Sequence, residues 1–248
     1  RKMRVLLAGY AADRYISQYR YIAKTIEQKV LQMNKAPTIA HDNAPSLTPL
    51  VTLLADDMKQ VNAQIVARMA SDVPLVPELA GHLIAAGGKR LRPLLTLAGA
   101  RLAGGSPHAI GLATAVEFIH SATLLHDDVI DESKLRRGHD TANALWGNDA
   151  SVLVGDFLFA RAFELMVETD SLSVLGRLSN ASARITEGEI KQMTIAGVAD
   201  TPAADYFDVI RNKTAILFAA AIAAGAEVAG ADKAVIEAAD AYGLNSRQ

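Results

Sequence analysis

A chain of 248 residues, half of them apolar and only 5% aromatic, has material for one large core and a composition suited to close-packed helices. Its 25 Lys and Arg against 27 Asp and Glu give a net charge of −2, which argues against a general nucleic-acid binder. No cysteine is present, so a disulfide scaffold or thiolate metal site is excluded, and a reducing cytoplasmic setting is allowed.

Charge is unevenly spread. Residues 1–35 carry eight Lys/Arg and two Asp/Glu, a net of +6, which leaves −8 for the rest. This opening stretch reads either as a basic amphipathic helix near a membrane surface or as an ordinary solvated helical extension. It lacks the uninterrupted apolar segment of a secretory signal. "APTIAHDNAPS" (36–46) reads as a linker, so residues 1–46 are set apart from a domain expected over 47–248. Leu50, Leu53, Leu54, Met58, Val61, Ile65, Val66 and Met69 recur at helical spacing. "DVPLVP" (72–77) breaks that pattern, and a new helix is expected from near Glu78. Further helices are expected over roughly 92–103, 107–125, 149–168, 172–193, 204–227 and 231–243. No long run alternates with period two, and no apolar run reaches the roughly 18 residues of a membrane span. The fold class is all-α, with helices packed antiparallel.

"LLHDDVIDESKLRRGHD" (124–140) places three carboxylates at the end of an apolar run and two arginines behind them. On a helix, Asp127 and Asp131 lie one turn apart, with Asp128 between them in angle. Like charges so close repel one another, and a bound cation offsets the cost. Mg²⁺ suits the site because it takes one or two carboxylates and accepts phosphate oxygens as further ligands. An isolated D-D-x-x-D is otherwise a solvated acidic helix end, so its neighbours decide. "GGKRLRP" (87–93) offers Lys89 and Arg92 at helical spacing i, i+3, after a Gly-Gly pair that permits close backbone approach. Arg136 and Arg137 are adjacent, so their side chains diverge and can serve two anions, each bidentately. His120 precedes Asp127 by two turns and is expected on its side of the helix. His126 reads as structural, and Gln192 as either cavity wall or plain surface. Lys213 and Thr214 add an ammonium and a hydroxyl before an apolar helix.

Together, G-G-K-R-L-R-P, F-I-H-S-A-T-L-L-H-D-D-V-I-D, R-R-G, V-G-D-F-L and K-T resemble the trans-prenyl diphosphate synthases (polyprenyl synthetases), in particular the long-chain octaprenyl and decaprenyl type. The resemblance runs from about Leu47 to Asn245. It implies an isoprenoid-synthase-like helical bundle around a deep central cavity, usually a homodimer in the cytoplasm. It also implies head-to-tail condensation of isopentenyl diphosphate with an allylic prenyl diphosphate. Carried over by position, Asp127, Asp128 and Asp131 hold Mg²⁺ against the allylic diphosphate. Lys89, Arg92, His120 and Arg137 bind isopentenyl diphosphate, and Arg136, Lys213 and Thr214 contact the allylic one. Ala122 and Thr123 stand one turn before the first aspartate, where family members set chain length; both are small, which implies long products. The floor of the cavity is then expected from Phe157, Leu158 or Phe159. A second D-D-x-x-D, expected after a segment like "YGLN" (242–245), is not present before Gln248, so weak catalysis by the 248-residue chain is expected. Two alternatives stay open. A non-catalytic subunit of a heteromeric synthase would explain the absent motif, whereas a class I terpene cyclase would have no use for Lys89 and Arg92.

Overall fold

The computed structural model describes residues 47–85 and 88–245. The expectations placed on residues 1–35, on the linker and on Gly87 lie outside that range. The described residues of Leu47–Gln192 and of 203–245 belong to one compact unit, and Met193–Pro202 belong to another. Within the second, the described residues end a helix and turn, with the Thr201 hydroxyl donating to the Val198 carbonyl at 2.8 Å.

The helices of the first unit begin with α1 (Thr48–Leu53), α2 (Ala55–Arg68), α3 (Leu75–Ala85), α4 (Leu91–Leu102), α5 (Ala109–Ile130), α6 (Ala142–Trp146), α7 (Asn148–Val167) and α8 (Leu172–Ile195), whose last residues belong to the other unit. Then come α9 (Ala203–Ile210), a π-helical turn (Arg211–Ala215), α10 (Ile216–Val228) and α11 (Lys233–Asn245). The all-α expectation holds. One departure is a two-stranded hairpin, β1 (Leu135–Arg136) and β2 (His139–Asp140), between the helices expected over 107–125 and 149–168. Another is α3, which starts at Leu75 rather than near Glu78. Pro77 falls in its first turn, where its missing N–H has no intrahelical partner to lose.

Helix α5 is the axis, packed on α2, α4, α7 and α10. Leu112, Val116, Phe118, Ile119, Ala122 and Leu125 along it are almost fully buried. Against α4 lies α10, "ILFAAAIAAGAEV", whose small side chains let the backbones meet. A Cβ on Gly99 would stand 2.1 Å from the Ile222 carbonyl oxygen, and one on Gly225 2.0 Å from that of Thr96. Two segments, Ala109–Ile130 and Ala203–Val228, are in fact long and apolar enough to cross a membrane by length and composition. Within them, 61% and 67% of the most apolar window is buried in the bundle, as in core helices.

Candidate active site

The C-terminal end of α5 fixes the aspartates. The Ser133 N–H bonds to the Asp128 carbonyl at 2.9 Å and the Glu132 N–H to that of Val129 at 3.2 Å, with Glu132 left-handed at φ 49°. This pattern is a Schellman end, which stops the helix just after Asp131. The hairpin comes immediately after it. Arg136 pairs with His139, so Arg137 (φ 53°) and Gly138 (φ 83°) are its two turn residues, both with the positive φ of a type I′ turn. Asn143 Nδ2 donates to the Asp128 and Ser133 carbonyls at 3.1 Å, and the Thr141 hydroxyl donates to Ser133 at 2.7 Å. His82 Nε2 donates to the Asp140 carbonyl at 2.8 Å. The hairpin is thereby tied to both α5 and α3.

This arrangement sends the two arginines apart. Arg136 returns to α5, its Nε and Nη2 gripping both oxygens of Asp128 at 2.8–3.1 Å. That hydrogen bonding holds the guanidinium above its ordinary pKa despite partial burial. Arg137 instead lies over Gly88, where a Cβ would meet its Nη1 at 2.8 Å. The glycine therefore makes room for a guanidinium of the same chain.

Around them is a cavity of about 570 Å³, lined by Lys89, Arg92, His120, Arg136 and Arg137, with Arg90, Glu117 and Asp128 also on its wall. The structure thus brings together the residues expected at the isopentenyl diphosphate site. Lys89 and Arg92 do not share a helical face, however. Arg90 is left-handed (φ 46°) at the N-cap of α4, so Lys89 precedes the helix and approaches from the loop, while Arg92 lies within it. The Arg92 guanidinium sits 4.5 Å from the centre of the Phe218 ring. His120 borders the cavity with Asp128, whereas Asp127 is not among the residues lining it. Burial, then the charges of Arg92, Arg137, Arg136 and Arg90, holds the His120 imidazole well below its ordinary pKa, so it is neutral near pH 7.

Asp127 faces another neighbourhood. Lys213 Nζ lies 3.8 Å from it and 2.7 Å from Glu189 Oε2. The π-helical turn carries Lys213 and the half-buried Thr214 against α8 at Gly188, where a Cβ would stand 3.1 Å from the Lys213 backbone nitrogen. Glu189 Oε1 is buried without a hydrogen-bond partner. Burial, then the charges of Glu189 and Asp131, raises the Asp127 carboxyl to about 6, against the pull of Lys213 and Arg136. Burial pulls Lys213 down, but its bond to Glu189 and the charge of Asp127 leave it above its ordinary value.

Glu189 carried almost no signal in the sequence. Its only sign there is a carboxylate three residues before Gln192, in a helix that reads as cavity-facing or surface. Gln192 itself is half-buried. Among Phe157, Leu158 and Phe159, it is Leu158 that points inward, fully buried; Phe157 lies beneath Arg161 and Phe159 beside His126. Ala122 is fully buried in the core, and the Thr123 hydroxyl donates to the His120 carbonyl at 2.8 Å. His126 has its Nε2 3.2 Å from the Val152 carbonyl.

Among the described residues no three His, Asp or Glu side chains stand as a ready metal-binding group. The three aspartates are not equivalent. Asp128 has both oxygens bonded to Arg136, whereas Asp127 and Asp131 stand one turn apart in a cluster with Glu189 where burial and like charge outweigh Lys213 and Arg136. The cost of ionising Asp127 and the unpartnered Glu189 oxygen fit a hard divalent cation at this point, which takes one or two carboxylates.

The polyprenyl synthetase family matches residues 73–246. An octaprenyl diphosphate synthase of Haemophilus influenzae is 46% identical over 200 residues, 80% of this chain and 60% of that protein. The crystal structure of a decaprenyl diphosphate synthase from Rhodobacter capsulatus is 54% identical with a TM-score of 0.78, covering 80% of this chain and 62% of that one. A polyprenyl synthase from Caulobacter crescentus CB15, solved with calcium and isoprenyl diphosphate, is 56% identical with a TM-score of 0.79, over 83% and 63% of the two chains. The chain spans about 60% of the length of these relatives.

Proposed function

Since this chain belongs to the polyprenyl synthetase family, we propose that the protein is a prenyltransferase joining isopentenyl diphosphate head to tail to an allylic diphosphate. Its product on this reading is a long-chain all-trans polyprenyl diphosphate, of the kind that supplies quinone side chains. The proposal extends to Mg²⁺ as the metal, to a homodimer and to a cytoplasmic location, all carried by the family resemblance. The observation that carries the reaction is the division of one helix end between two sites. Asp128 closes with Arg136 on the wall of the cationic cavity, while Asp127 turns to Lys213 and Glu189.

Such a division suits the chemistry. Cleaving an allylic C–O bond expels diphosphate and leaves a carbocation, so donors must meet charge developing on the leaving oxygens. Lys213, charged and held in place by Glu189, supplies one such donor beside Asp127. Mg²⁺, bound by Asp127 and Asp131, would neutralise the departing diphosphate. Across the helix, Lys89, Arg92, Arg137 and the neutral His120 hold the second diphosphate, which fixes its double bond near the cation. The apolar wall keeps water from capturing that cation first. Asp128 orients Arg136 between the two sites.

The test is prenyl transfer from labelled isopentenyl diphosphate with Mg²⁺ and an allylic diphosphate, followed by sizing of the products. The Asp127→Ala variant is run beside it. Long-chain product lost by several orders of magnitude in that variant, with the helical signal unchanged, is the expected result. Near-normal turnover of Asp127→Ala, or full activity in excess chelator, would overturn the reading.

A further inference from the structure

A buried ion pair stands in the wall of the cationic cavity. Arg90 Nη1 donates to Glu117 Oε1, and their side chains are only 17% and 9% exposed. Behind the pair, Ile65, Met69, Leu83, Phe118 and Leu158 form an apolar backing. Stability does not explain such a pair, because desolvating two charges costs about as much as their attraction returns, and apolar residues in their place are often neutral or better. Burial indeed pushes the Glu117 carboxyl upward, although Arg90, Arg92 and Arg137 pull it the other way.

The backbone of Arg90 adds a second cost. It is left-handed, at φ 46° and ψ 38°, a conformation about 1–2 kcal/mol unfavourable for a residue other than glycine. Yet this residue is the pivot of the whole segment. Its carbonyl accepts the Leu94 N–H at 3.1 Å, an opening bond of α4. On one side of it Lys89 reaches the cavity from the loop, and on the other Arg92 reaches it from the helix. Glu117 sits one turn before His120 on α5, the element to which the opposite wall is tied.

We propose that Glu117 is a positioning residue for the second diphosphate. Through its ion pair with Arg90 it locks the left-handed turn that aims Lys89 and Arg92 into the cavity from two directions. This inference rests on reading that cavity as the isopentenyl diphosphate site.

Charge alone makes the opposite forecast, which gives a decisive sign. Replacing Glu117 by Gln removes a negative charge from an anion site, so a purely electrostatic role predicts tighter diphosphate binding. Positioning predicts weaker binding, because the neutral amide holds Arg90 less firmly. Isopentenyl diphosphate binding is measured by calorimetry in chelator, for the parent protein, for Glu117→Gln and for the double variant Arg90→Met/Glu117→Leu. The double variant removes both charges together and so guards against misfolding. Both variants should bind about tenfold more weakly or worse, with KM for isopentenyl diphosphate raised to match and KM for the allylic substrate within about twofold. Binding by Glu117→Gln that equals or exceeds the parent's overturns the inference while leaving the functional reading intact, as does parent-like binding by the double variant. A parent protein that does not bind isopentenyl diphosphate overturns both.

Discussion

Replacing Asp127 by Asn should make the metal-free protein more stable at neutral pH while removing its catalysis. Asp127 is largely but not fully buried, its side chain 12% exposed, and it faces Glu189 and Asp131 as well as Lys213 and Arg136. Together these raise its carboxyl from an ordinary 3.8 to about 6. Below the unfolded value both states carry the proton and the residue contributes nothing. As pH rises from 3.8 towards 6 the unfolded chain ionises first, so folding loses stability across that window, and the loss persists above it. At about 1.4 kcal/mol per pH unit, the full deficit is about 3 kcal/mol. Asn at 127 never ionises and so escapes it. Urea denaturation in chelator should show parent and variant alike near pH 4. By about pH 8 the variant should lead by up to ~3 kcal/mol, or very roughly 6–12 °C in Tm for a domain of this size. Added Mg²⁺ should then stabilise the parent and leave the variant unmoved, closing the gap. A variant equal to or weaker than the parent at pH 8 in chelator would refute the reasoning, since it would mean that attraction to Lys213 outweighs burial and the neighbouring carboxylates.

Three other outcomes are expected. A diphosphate entering the cavity should raise the depressed pKa of His120, so isopentenyl diphosphate binding near pH 6.5 should take up protons; calorimetry in buffers of differing ionisation enthalpy reads this uptake, and His120→Asn should abolish it. Gly225→Ala should cost at least about 1–3 kcal/mol in denaturant unfolding, because its Cβ would stand 2.0 Å from the Thr96 carbonyl oxygen in a backbone crossing that cannot yield cheaply. Ala122→Phe should shorten the products by filling space one turn before Asp127, and a product distribution unchanged by chromatography would count against that reading of chain length.

Much of the helical framework was legible because its spacing is local: apolar residues at three and four apart declare a helix whatever they pack against. The hairpin at 135–140 was not, since two-residue strands carry no periodicity. Its only signal was Arg137-Gly138, with an arginine where Asn or Asp more commonly takes the first position of a type I′ turn. The helical spacing read for Lys89 and Arg92 failed for a related reason, since Lys89 precedes α4. "GKRLRP" has the composition of a helix entry, but the chain turns left-handed at Arg90, a residue whose intrinsic preference opposes that conformation. What holds it there is Glu117, 27 positions along the chain, and a contact at that range leaves no mark in local spacing.

The same limit hid the difference between Asp127 and Asp128. Adjacent residues on a helix point about 100° apart, so sequence alone places two carboxylates on neighbouring faces without saying what each face meets. Here the type I′ turn brings Arg136 back on one face, and the π-helical turn brings Lys213 to the other. Consecutive acids are thereby assigned to separate cations, and the C-terminal end of α5 becomes a partition. Had Arg136 reached Asp127 instead, more of the negative charge of Asp127, Asp131 and Glu189 would already be offset, and the need for a metal would be smaller. Because Asp128 takes the arginine, Asp127 stays in a partly buried cluster with Asp131 and Glu189, which burial and their charges make costly to ionise. On the proposed function, that cluster would draw a divalent cation, and with it a diphosphate, to one side of the helix, while the guanidinium and imidazole groups gathered on the other side would hold the second.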